Sequence, residues 1–154
     1  MRALQAKGFK VLFRSDIFSN HRHLAGDDRR RLAELRQALA DPKALGTVIE
    51  NLLSNAYKYA DEPRQTTVTL DGDRDDVFIV VSDQGNGIAG KEMSRIFQPF
   101  YRVGDEQTRQ APGSGLGLFL SKEIVLRHHG ELRVASRGKG LGSSFTVRLP
   151  RLIH

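Results

Sequence analysis

Residues 66–87 read TTVTLDGDRDDVFIVVSDQGNG, and their pattern decides the fold. Thr66–Leu70 alternates threonine with Val68 and Leu70, and Val77–Ser82 carries FIVV at its centre. Short runs of β-branched and aromatic residues form strands. Asp71-Gly72-Asp73 between them has turn chemistry, which makes the pair an antiparallel hairpin. Asp83-Gln84-Gly85-Asn86-Gly87 follows directly at the end of the second strand.

Upstream, Asp41-Pro42 marks a helix start, with aspartate as cap and proline at the first helical position. That helix continues through Thr47–Ala60, TVIENLLSNAYKYA, and stops by Asp61-Glu62-Pro63, because the residue before proline disfavours helix. Val48, Ile49, Leu52, Leu53 and Ala56 recur at helical spacing and face a core. Asn51, Asn55, Lys58 and Tyr59 fall along one polar side. Nearer the N-terminus, residues 9–15 (FKVLFRS) read as a strand, Asp27–Arg36 as a short helix, and Gln37–Ala40 as its tail or a brief strand.

Downstream, Lys91–Phe97 reads as a short helix and Pro99–Ser114 as a loop. A loop of that length inside one domain is often functional. Gly115–His128 reads as a helix with Leu116, Leu120, Ile124 and Val125 on one face, ended by Gly130. Glu131–Arg137 and Ser143–Leu149 are closing strands around the turn Gly138–Gly142. Strands thus follow strands as hairpins, without regular βαβ alternation. The expected fold is α/β (α+β): a two-layer sandwich whose mixed, mostly antiparallel sheet is covered on one face by helices.

The 154 residues suit a single domain, 1–154. The absence of cysteine excludes disulfides and thiolate metal sites, and fits a cytoplasmic chain. No apolar run reaches membrane-spanning length, so no membrane contact is expected. The formal charge is +6, but the basic residues are scattered, and acidic residues flank Arg29–Arg31. That cluster reads as a solvated helix face, not a nucleic-acid surface.

Three segments carry chemistry. The helix face offers carboxamides that can ligate a hard cation such as Mg²⁺, an ammonium for phosphate, and a ring to cover a base. Asp83 can accept a hydrogen bond from the amino group of adenine, and Gly85 and Gly87 permit close backbone approach. Gly113-Ser114-Gly115-Leu116-Gly117 sets backbone N–H groups before a helix N-terminus, a ready anion site. It is neither a Walker loop nor a Rossmann fingerprint. Between the glycine segments, Phe97 and Phe100 can anchor the loop base in the core with Arg102 reaching a γ-phosphate, or they form a hydrophobic hinge with Arg102 in solvent.

The four segments NLLSNAYKY, DQGNGI, IFQPFYR and GSGLGLFLSKEIV occur in a fixed order over roughly residues 41–150. They resemble the N, G1, F and G2 boxes of the ATP-binding catalytic domain of sensor histidine kinases, within the Bergerat-fold ATPases that include type II topoisomerases and mismatch-repair proteins. The resemblance implies ATP and Mg²⁺ as cofactors. Asn55 would hold the metal, with Asn51 supporting. Lys58 would contact phosphate, and Tyr59 would lie against base or sugar. Asp83 would bind the adenine amino group, with Ser143 helping it through a water, and Gly85, Gly87 and Ile88 would shape that pocket. Residues 99–114 would be the ATP lid, with Arg102 turned to the γ-phosphate. Gly113, Ser114, Gly115, Leu116 and Gly117 would wrap the phosphates. Asn51, Asn55, Lys58 and Arg102 are thus the expected catalytic set.

Hydrolysing members carry glutamate where this chain has Asn51, and an amide cannot act as a base. Glu50, about 100° around the helix, points elsewhere. Transfer to a protein is therefore expected over hydrolysis. Residues 16–40 match no motif of the family and read as an insertion. No segment matches the dimerising hairpin with its phosphoacceptor histidine, so the chain reads as one domain of a longer kinase, the cytoplasmic part of a membrane-anchored one if that kinase has an anchor. None of His21, His23, His128, His129 and His154 lies in a suitable helix. The implied partners are that helical domain and a response regulator. Two other readings remain at this stage: a stand-alone anti-sigma-factor-type serine kinase, and a nucleotide-binding regulatory module without transfer.

Overall fold

The computed structural model describes residues 10–11, 41–60, 65–104 and 113–151. Helix α1 spans Pro42–Lys58, opened as its sequence requires. The Asp41 carboxylate accepts the N–H groups of Lys43 at 3.0 Å and Ala44 at 3.1 Å. Leu45, Val48, Leu52, Leu53 and Ala56 are buried along one face, with Ile49 packed beside them. Asp41→Ala should lower stability by about 1 kcal/mol, the usual cost of a lost N-cap. Asp41→Asn should retain most of it, and the shift in urea midpoint checks both.

Strands β2 (Thr66–Gly72) and β3 (Asp76–Asp83) form the expected antiparallel hairpin. The turn differs from the sequence reading. Asp71 and Gly72 belong to β2, and the reversal lies at residues 73–76. There the Asp73 side chain accepts the N–H groups of Asp75 at 2.9 Å and Asp76 at 2.8 Å. An aspartate that satisfies two following N–H groups sets the turn better than the glycine before it.

Strands β4 (Glu131–Ala135) and β5 (Ser143–Pro150) close the chain as a second hairpin. The sheet order is β1-β2-β3-β5-β4, where β1 is Lys10–Val11, paired parallel to β2. The last strand thus lies between β3 and β4, antiparallel to both. Inward residues meet across the register: Val81 opposite Phe145, Ile79 opposite Val147, Val77 opposite Leu149. All six are buried, and five of them join the helix residues in one core, Val77 standing apart. This is the expected two-layer arrangement. The remainder of the 9–15 strand, the 27–36 helix and the rest of 16–40 lie outside the described residues.

Two helices are shorter than their sequences suggest. Helix α2 is only Gly90–Met93. Its continuation breaks into turns as Ile96 enters the core. Helix α3 spans Gly117–Arg127, because Gly115 takes φ +74 and cannot start it. Its end is a Schellman motif, with His129 N–H bonded to Leu126 O and Gly130 N–H to Val125 O, both at 2.9 Å. The left-handed residue is His129, φ +57, rather than Gly130. Gly130 is required for a different reason: a Cβ there would meet the Arg148 carbonyl. Leu120, read on one helix face with Leu116, Ile124 and Val125, is 48% exposed, and the buried positions are Ser121 and Val125.

Candidate functional site

The polar side of α1 acts as a ruler for the site. Near its middle, Asn51 Nδ2 donates to the Gly117 carbonyl at the start of α3, at 3.4 Å. At its C-terminal end, the Tyr59 carbonyl accepts the Asn86 N–H from the turn after β3, at 2.9 Å. These contacts are eight residues apart on α1, or about 12 Å. A cavity of about 620 Å³ lies along this span. Asn55 and Asp83 both line it. Of the site residues expected from sequence, all but Gly85 and Leu116 do so.

The two exceptions have structural explanations. A Cβ on Gly85 would strike the Tyr59 carbonyl, so this glycine seats the turn against α1 and lies behind the cavity. Leu116 is the N-cap residue of α3 and is half-buried. It provides no side-chain cap, and the first-turn N–H groups of α3 have none. Such groups, with Gly113, Ser114 and Gly115 beside them on the cavity wall, suit an anion.

At the other end, Asp83 is held on both oxygens. Oδ1 accepts the Gly85 N–H at 2.9 Å, and Oδ2 accepts the Ser143 hydroxyl at 2.6 Å. Ser143 therefore reaches Asp83 directly, with no intervening water needed, because β5 places it opposite Asp83 in the register. A carboxylate oxygen has a second lone pair, so Oδ2 can take one more donor from the cavity. Gly87, φ +62, passes so close to the β4–β5 loop that a Cβ would strike the Gly138 carbonyl.

That loop was read from the sequence as turn material only. It returns to the turn after Asp83: Gly140 N–H donates to Asn86 O at 2.7 Å and Gly142 N–H to Gly85 O at 3.0 Å. Lys139 and Asn86 thereby reach the cavity wall, and neither was foreseen. The local signal was a lysine between glycines in GKG; its destination required the strand order. With Lys58 and Arg102, Lys139 makes three cationic residues around the cavity, against one carboxylate, Asp83, among the described residues.

The base of the 99–114 segment also differs from expectation. Phe97 packs against the core, but Phe100 is 71% exposed with φ +63. Its N–H bonds the Gly115 carbonyl at 3.0 Å, which pins the two ends of the segment together. A Cβ on Gly115 would come within 2.7 Å of the Phe100 carbonyl carbon. Tyr101, also on the cavity wall, is braced from α2. Its hydroxyl donates to Glu92, and the Arg95 guanidinium sits 4.5 Å over its ring. The Glu92 hydrogen bond raises the Tyr101 phenol above the ordinary tyrosine range. The phenol therefore keeps its proton, and the brace, at neutral pH. Residues 105–112 lie outside the described residues.

Among the described residues no group of three or more His, Asp or Glu side chains could hold a metal alone. A hard cation here would take an amide oxygen from α1 and complete its shell with ligand oxygens and water, as suits Mg²⁺. An acceptor at one end of a cavity, with amides, cations and helix N–H groups along the rest, fits an amino-bearing base joined to phosphates.

Residues 40–153 match the family described as histidine kinase-, DNA gyrase B- and HSP90-like ATPases. The chain belongs to this family. Among sensor kinases it is 40% identical over 120 residues to the sensor-like histidine kinase SenX3 of Mycobacterium bovis, covering 77% of this chain and 28% of SenX3. It is 37% identical over 110 residues to the sensor histidine kinase WalK of Bacillus subtilis, covering 70% of this chain and 18% of WalK. The chain thus spans under a third of the length of these relatives. Among solved structures, the mycobacterial sensor histidine kinase MprB superposes with a TM-score of 0.65 at 29% identity, over 82% of this chain and 93% of MprB. Full-length ShkA in complex with AMPPNP gives a TM-score of 0.64 at 26% identity, over 75% of this chain and 23% of ShkA. These likenesses extend over the sheet and helices that frame the cavity. No helix among the described residues is long and apolar enough to cross a membrane.

Proposed function

We propose that this ATPase-family domain binds Mg²⁺-ATP in the α1 cavity and is the catalytic part of a sensor histidine kinase. The observation that carries the reading is the single cavity joining the amide face of α1, the Asp83 carboxylate and the uncapped start of α3. Asp83 accepts the adenine amino group. Gly113, Gly115 and Gly117 lie along the phosphates with the first N–H groups of α3. Lys58 and Arg102 neutralise charge on the phosphates. Asn55 would hold the ion, which when bound would draw negative charge from the phosphates.

The chemistry is positioning and charge neutralisation. A nitrogen of an acceptor imidazole attacks the γ-phosphorus, the bond to the β,γ-bridging oxygen breaks, and ADP leaves. No side chain of the cavity among the described residues is placed as a base for water: Asn51 is an amide, Glu50 is exposed on another side of α1, and Asp83 is engaged at the base end. This favours transfer over hydrolysis. The named relatives are histidine kinases, which favours histidine over serine as the acceptor. The partners are then a helical phosphoacceptor domain and a response regulator, and the domain works in the cytoplasm.

Label from γ-phosphate-labelled ATP should move to an added helical-hairpin acceptor protein as acid-labile phosphohistidine. ATP binding by calorimetry without any transfer would instead identify a passive nucleotide-binding module.

A further inference from the structure

Ser121 is 0% exposed, in the middle of α3, among apolar core residues. A buried hydroxyl needs a hydrogen-bond partner. Its partner is on the facing helix: Asn51 Nδ2 donates to Ser121 Oγ at 3.2 Å. The same nitrogen donates to the Gly117 carbonyl at 3.4 Å. A carbonyl can only accept, so the nitrogen side of the Asn51 amide faces α3. Asn51 also lines the cavity. Its remaining polar atom, the Oδ1 acceptor, is therefore left for the cavity.

We propose that Ser121 is a positioning residue that fixes the orientation of the Asn51 amide. With the Gly117 carbonyl, its hydroxyl holds the nitrogen against α3 and presents Oδ1 to the ion and phosphate region. The proposal rests on the ATP-site reading above. An amide is nearly symmetric in shape, so only its hydrogen bonds decide which atom faces the cavity. The Gly117 contact alone is at the long end of the hydrogen-bond range. The Gly117 carbonyl selects the nitrogen side, and the Ser121 hydroxyl, which could pair with either end of the amide, supplies the second contact that holds it there. With only the 3.4 Å contact left, the amide turns over more readily and directs N–H donors at a cation, which repels it. With the hydroxyl, the acceptor is set before any ligand arrives, and a water bound to the ion can donate to it.

Ser121→Ala removes only the hydroxyl and keeps a good helix former, while Ser121→Thr keeps the hydroxyl. Two measurements test the role on the intact chain. The first needs no nucleotide: the Asn51 side-chain NH₂ signals in ¹⁵N-resolved NMR. In Ser121→Ala these should shift and exchange faster with solvent, and in Ser121→Thr they should stay protected. The second is the gain in ATP affinity on adding Mg²⁺, by calorimetry. Ser121→Ala should reduce that gain by about three- to tenfold, the scale of one net hydrogen bond, with metal-free ATP affinity unchanged. Ser121→Thr should restore it. Unchanged NH₂ signals in Ser121→Ala would overturn the proposal. So would equal loss of metal-free and Mg²⁺-supported affinity, which marks simple helix packing. If the unsubstituted chain showed no Mg²⁺-dependent gain at all, the ATP-site reading would fail, and the NH₂ signals would still decide the amide orientation.

Discussion

Asn55→Ala is expected to abolish the Mg²⁺-dependent part of ATP binding while the fold survives. The Asn55 side chain lies on the cavity wall, one turn along α1 from Asn51. Its backbone carbonyl accepts the Tyr59 N–H at 3.0 Å, and that contact does not depend on the side chain. Alanine is the best helix former, so α1 should keep its length and its buried face. What is lost is the amide oxygen on the cavity side. No cluster of acidic or histidine side chains among the described residues can replace it as a metal ligand. Calorimetry with ATP, with and without Mg²⁺, separates the two contributions. The variant should bind ATP equally with and without the ion. If it kept the Mg²⁺-ATP affinity of the unsubstituted chain, Asn55 would not be the metal ligand.

The second large effect is at the base end. Asp83→Asn should weaken ATP binding by about 1–3 kcal/mol, the penalty for leaving a buried polar group unpaired. The Gly85 N–H needs an acceptor, so the new amide must keep its oxygen on that side. Its NH₂ then replaces Oδ2, and the Ser143 hydroxyl turns round to accept from it. The turn is thereby preserved, but the cavity now presents a donor where adenine brings its own amino group. Two donors face each other with no acceptor between them. Inosine triphosphate, which carries a carbonyl in place of that amino group, should lose little or gain. Equal ATP affinity in the variant, with its circular dichroism unchanged, would remove Asp83 from base recognition.

Much of the candidate site is legible in the sequence. The Asp41 cap, the apolar face of α1 and the hairpin of β2 and β3 are local patterns that a helix turn or a pleat imposes on neighbouring residues. The polar row from Asn51 to Tyr59 is legible for the same reason. Errors arose where a local signal competed with tertiary packing. Phe100 looked like a core residue by type, yet its backbone is committed to the Gly115 contact and its ring faces out. Leu120 has helical spacing to Ile124, yet the α3 face that meets α1 is the one carrying Ser121 and Val125.

The type of each described element and the start of α1 are legible in the local sequence, as are the side chains with the chemistry to bind an ion, a phosphate and an amino-bearing base. These depend on periodicity, caps and turns, whose range is a few residues. That β5 lies between β3 and β4 follows only from how the strands assemble. That placement sets Ser143 on Asp83 across 60 residues of chain, and the β4–β5 loop it shapes brings Lys139 to the cavity. Tertiary packing also sets which way the Asn51 amide points, through the Gly117 carbonyl and the Ser121 hydroxyl, 66 and 70 residues away. Such choices follow from burying one common core under both helices. That is a property of the whole chain, and no short window of residues contains it.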